Sequence, residues 1–142
     1  MHVSPEQFYS SFLAVAKVYG SQLVQNWEDD REYTRLVRYK FLPTLAQRLG
    51  LLCYSTKDYY TLDAVFYVNA DTKHFPPGEW IYVEYISIAL EHEHNSGGRY
   101  GSNVEMNKLQ LFNCPLKVLI TYPNPSDKKS CNPAPGELRG HR

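Results

Sequence analysis

The sequence predicts a single α/β domain, an α+β arrangement with a mixed sheet and helices on its faces. Two observations carry this. Apolar residues recur at helical spacing over the first fifty positions, and the period then shortens to that of strands. The expected order is α-α-β-β-α-β. At 142 residues the chain is long enough for one core, expected over 1–123, with 124–142 as a loose tail rich in Pro, Ser and Lys.

Ser4-Pro5-Glu6-Gln7 reads as a helix start: Ser at the cap, Pro at the first position and Gln three residues after the cap. Phe8, Phe12, Val15, Ala16, Tyr19 and Leu23 form the buried stripe that follows, with Gly20-Ser21 as an expected break. The acidic run Glu28-Asp29-Asp30 suits the positive end of a second helix through Leu36, Val37 and Phe41. Pro43 is expected to kink or restart that helix, and Gly50 to end it.

Thr61–Val68 and Trp80–Glu91 are β-branched and aromatic and read as strands, joined across the loop His74-Phe75-Pro76-Pro77-Gly78. After the loop 96–101, Ser102-Asn103-Val104-Glu105 has the capping-box pattern of a short helix to about Phe112. Leu116–Tyr122 is nearly all apolar, as a strand covered on both faces should be.

Composition narrows the function classes. Fifteen Lys and Arg balance fifteen Asp and Glu, so no net charge advertises a nucleic-acid partner. Cys53, Cys114 and Cys131 are odd in number and widely spaced, which excludes a disulfide frame or a Cys-x-x-Cys zinc site. With no signal pattern and no long apolar span, a cytoplasmic protein without membrane contact is expected.

The chemistry points to Ile88-Ala89-Leu90-Glu91-His92-Glu93-His94, where a buried strand turns acidic. Carboxylates in such a place are costly to desolvate unless a cation meets them. Alternation puts Glu91 and Glu93 on one face and His92 and His94 on the other. A hairpin turning near residue 77 would set Asp63 opposite Glu91. Asp63, Glu91 and Glu93 would then converge, repel one another, and call for Mg²⁺ or Mn²⁺. Zinc at His92 and His94, with His74 as third donor, is the weaker metal reading, since no further ligand is near.

Asp63 in one strand, Glu91-x-Glu93 late in the next, a helix and a further buried strand resemble the PD-(D/E)XK nuclease superfamily, over about residues 27–122. The resemblance implies a restriction-endonuclease-like core and a Mg²⁺-dependent endonuclease acting on nucleic acid, DNA rather than RNA. It makes Asp63 and Glu91 metal ligands, with Glu93 as ligand or water-orienting base. Glu93 stands where the family usually has Lys, and Lys108 on the following helix is the candidate replacement. Glu28 or Glu32 would supply the further acid that many members carry on an N-terminal helix. The alternative is a catalytically inactive module of the same fold, serving in protein or nucleic-acid binding. A domain this small is expected to need a second copy or a partner protein to grip a duplex.

Overall fold

The structure, a computed structural model, describes residues 2–71, 81–93 and 101–121. The loops at 74–78 and 96–100, His94, Cys131 and the C-terminal tail lie outside them.

Helix α1 (Pro5–Gln25) opens on the predicted capping box: the Ser4 hydroxyl accepts from the Gln7 N–H, and the Gln7 side chain accepts from the Ser4 N–H. It does not break at Gly20-Ser21. Tyr19 and Leu23, apolar residues on either side, pack on the core and keep one helix seated. Helix α2 (Asp30–Leu36) is capped by Asp29, whose carboxylate accepts from the Glu32 N–H.

From Leu36 the chain neither stops nor kinks. A π turn, Val37–Phe41, carries it into α3 (Leu42–Arg48). Pro43 explains the π turn: it lacks an N–H, and its ring would strike the carbonyl four residues back in a regular helix. In the widened turn the Leu42 N–H donates to the Val37 carbonyl, five residues back, and the helical run continues. Gly50, with φ 71°, ends it as expected.

A four-stranded mixed sheet follows in the order β1 (Leu52–Tyr54), β2 (Ala64–Tyr67), β5 (Ile86–Glu93) and β6 (Leu116–Thr121). The β1–β2 and β2–β5 pairs are antiparallel and β5–β6 is parallel. Helix α4 (Gly101–Gln110) lies between β5 and β6 in the chain, the kind of crossover that parallel neighbours require.

The strand predicted over Trp80–Glu91 is two elements. Tyr82–Val83 (β4) pairs with Ala70–Asp71 (β3) in a separate ribbon, and β5 begins only at Ile86. The register slips between Phe66 and Tyr67, and such a bulge bends the hairpin out of the main sheet. Strand β1 was not expected, because three residues are too few to show alternation.

Even-numbered residues of β2 and β5 face the layer of α1 to α3: Ala64, Phe66, Ile88 and Leu90 pack with Val15, Tyr33, Phe41, Leu42 and Leu45. Odd-numbered Val65 and Ala89 pack on the other face with Leu109 of α4. Phe66 is fully buried at the centre of the first cluster. Phe66→Ala should therefore cost roughly 3–5 kcal/mol of stability, readable as a lower denaturant midpoint at unchanged slope.

Cys53 and Cys114 are free thiols. Burial pushes Cys53 up to about 11, the Ser55 hydrogen bond opposing, so it is no nucleophile at neutral pH.

Candidate active site

Asp63 and Glu91 lie at one end of the β2–β5 ladder, near enough for the charge of one to act on the other. Ala64 lies opposite Leu90, so the next step along the ladder sets Asp63 against Glu91, the register expected from the sequence. What places Asp63 there is a tight turn just before it. Tyr59 and Leu62 exchange both backbone hydrogen bonds across Tyr60-Thr61, with Tyr60 at φ 56°. A tyrosine in that left-handed region carries a penalty of about 1–2 kcal/mol. Buried Tyr59 anchors the turn by accepting from the Val83 N–H and packs edge-on against Tyr54 and Tyr60. Tyr59 thus serves the fold, while Tyr60 stands exposed.

Asp63 is half-buried and held on both oxygens. Oδ1 accepts from Arg38 Nη2 at 2.9 Å, and Oδ2 accepts from the His92 backbone N–H at 2.8 Å. Arg38 stands on the π turn, and its Nη2 also donates to Asp58 at 2.7 Å. Nothing in the sequence marked Arg38; it reaches Asp63 only because the π turn and the sheet end are packed together.

Glu91 is the anomaly of the fold. It is 0% exposed, and neither carboxylate oxygen has a hydrogen-bond partner. Strand alternation aims it at the α4 face, where Lys108 Nζ lies 3.9 Å from its Oε2 and 2.7 Å from Glu105 Oε2. Burial drives the Glu91 carboxyl far above its ordinary range, to about 10; Glu105 and Asp63 push the same way and Lys108 opposes. Burial also raises Glu105, but Glu91 and the Lys108 ammonium outweigh it and hold Glu105 below its usual value. Lys108 is desolvated too, yet these carboxylates keep its pKa raised. The two glutamyl groups compete for one proton.

The remaining predicted residues fall as follows. Glu93 lies on Glu91's face by alternation, half-buried at the last β5–β6 pair, opposite Thr121. Among the described residues no three His, Cys, Asp or Glu side chains form a ready-made metal group. The expected three-carboxylate cluster is therefore a looser set, Asp63 and Glu91 with Glu105 beside them. Glu105 was expected as a helix cap, but its carboxylate is turned to Lys108. Lys108 on α4 does reach Glu91. Glu28 and Glu32 line surface hollows elsewhere on the helical layer, away from Asp63. His92 faces the helical layer and stacks on Tyr33, with centroids 5.9 Å apart, while His94 and His74, the other donors of the zinc reading, lie outside the described residues.

The donors that a divalent cation could use here are Asp63 and Glu91. Mg²⁺ needs one or two carboxylates, the rest of its shell being water and substrate oxygen. Glu91 has two buried oxygens with no partner, and Asp63 has lone pairs left on both of its own. Compared with protein-family models, with curated proteins and with solved structures, the chain finds no match. Among the described residues no helix is long and apolar enough to cross a membrane.

Proposed function

We propose that this chain is a metal-dependent nuclease with a restriction-endonuclease-like core, cleaving phosphodiester bonds of nucleic acid, DNA in preference to RNA. One observation carries the reading: Glu91, fully buried with both oxygens unpartnered, sits at a sheet end beside Asp63 and Lys108. Burial holds this carboxyl protonated, and the Lys108 ammonium stands 3.9 Å off, beyond hydrogen-bond reach; a bound cation would displace the proton and use both oxygens.

Asp63 and Glu91 would hold Mg²⁺ or Mn²⁺, with Glu93 as a further ligand or as the group that orients the attacking water. Such a cation supplies the charge neutralisation that in-line displacement at phosphorus needs. Arg38 and the His92 N–H keep the Asp63 carboxylate fixed in place. Glu105 holds the Lys108 ammonium close to Glu91, where it can meet negative charge growing on the phosphate oxygens. Lys108 would thereby take the place of the lysine missing at position 93.

The test is cleavage of plasmid DNA by the purified chain with Mg²⁺ or Mn²⁺, against an EDTA control. Lys108→Ala should slow cleavage on the order of 10²-fold or more while Mn²⁺ still binds. Full activity in that variant would remove Lys108 from the site, and a wild type that binds Mn²⁺ but cuts neither DNA nor RNA would sink the nuclease reading.

The alternative, an inactive module of this architecture that binds protein or nucleic acid, has one observation on its side: a cation internal to the chain, Arg38, already engages Asp63. That module would bind DNA identically with and without Mn²⁺. Either form is expected to work with a second copy or a partner protein when it grips a duplex.

A further inference from the structure

Arg38 is tied down through one nitrogen only. Its Nη2 donates both hydrogens, one to Asp58 and one to Asp63. Nη1 and Nε, three further N–H donors, have no partner among the described residues. The side chain is 22% exposed, so these donors are neither sealed in the core nor waving in solvent. Beside it opens a cavity of about 220 Å³ lined by Thr34, Val37, Arg38, Leu42, Asp63 and His92.

Shape and chemistry both limit what this cavity can take. Drug-sized ligands and cofactors need about 300–1,000 Å³, so the space suits a small polar group. A guanidinium fixed on one side by carboxylates presents its free edge as a planar fork, the geometry that matches phosphate oxygens. Thr34 contributes a hydroxyl to the same wall, while Val37 and Leu42 keep another part of the lining apolar.

Charge supplies a condition. Arg38 with Asp58 and Asp63 sums to one negative charge, which repels a free anion. A divalent cation held by Asp63 and an ionised Glu91 brings the sum over these groups to zero and so removes that repulsion. Asp63 belongs both to the cavity wall and to the carboxylate pair, so the two sites share a side chain.

We propose that the cavity beside Arg38 is a phosphate subsite that grips a backbone phosphate of the bound nucleic-acid strand, and that it fills only when the neighbouring cation site is occupied. This rests on the nuclease reading above. It adds a residue, Arg38, and an order of events, cation before strand.

Calorimetric titration of the full chain with the dinucleotide d(TpT), and separately with inorganic phosphate, tests it in the presence and absence of Mn²⁺. The wild type should bind d(TpT) with Mn²⁺ present and at least tenfold more weakly without it. With each protein saturated with Mn²⁺, Arg38→Gln should bind d(TpT) at least tenfold more weakly than the wild type. Arg38→Lys keeps a positive charge for Asp63 and so protects the fold, but it lacks the fork and should fall between the two.

Wild-type affinity for d(TpT) in both variants would overturn the subsite, and so would binding of inorganic phosphate without d(TpT). Arg38-dependent d(TpT) binding in a wild type that takes up no Mn²⁺ would keep the phosphate subsite but overturn its dependence on the cation, and with it the metal-dependent reading. Loss of both kinds of binding would end both proposals.

Discussion

Glu91→Gln should leave the metal-free protein at least as stable as the wild type and yet slow its Mn²⁺-dependent cleavage on the order of 10³-fold or more. The two effects have one cause. Glu91 is fully buried among Glu105, Lys108 and Leu109 with no hydrogen-bond partner of its own. Burial already holds the metal-free wild-type carboxyl neutral, so the amide replaces a group of the same shape and charge and offers an N–H to Glu105. Metal binding is what the substitution destroys. At Mn²⁺ a hundredfold above its Kd the wild type should gain about 2.7 kcal/mol, a rise of several degrees in Tm. The variant should show no such rise. A Glu91→Gln protein that is markedly less stable than wild type without metal would mean that Glu91 is a structural residue.

Asp63→Ala should give the opposite stability result with the same loss of cleavage. This carboxylate does structural work on both oxygens, closing the sheet end through the His92 N–H and anchoring Arg38. Truncation leaves a part-buried N–H without its acceptor, worth roughly 1–3 kcal/mol, and strips Arg38 of its less exposed partner. The expected loss is about 2–3 kcal/mol by urea titration, with cleavage falling as far as in Glu91→Gln. The pair of variants thus separates two carboxylates that a sequence motif treats alike. Equal stability in both would show that the Arg38–Asp63–His92 link contributes nothing measurable.

That contrast also shows what could be read in the chain before its fold. The capping box at Ser4, the Asp29 cap, the end at Gly50 and the division of Glu91 and His92 between two faces are local, and local spacing carries them. The register that sets Ala64 opposite Leu90 was legible because a turn centred near residue 77 fixes which residues can pair across the hairpin.

The π turn was not, since Pro43 disfavours a regular helix without saying whether the chain kinks or widens. Arg38 was invisible for a related reason. It joins Asp58 and Asp63, twenty and twenty-five residues away, and no short pattern encodes that distance. Glu105 was misread because Ser102 three residues earlier suggests a cap. Only the packing of α4 on β5 turns it toward Lys108 and Glu91.

Anomalous diffraction from a crystal of the protein soaked in Mn²⁺ tests the central claim most directly. The account predicts one strong peak within ligating distance of the Glu91 and Asp63 carboxylates, absent in Glu91→Gln. A soaked crystal with both carboxylates placed as described and no manganese between them would contradict it.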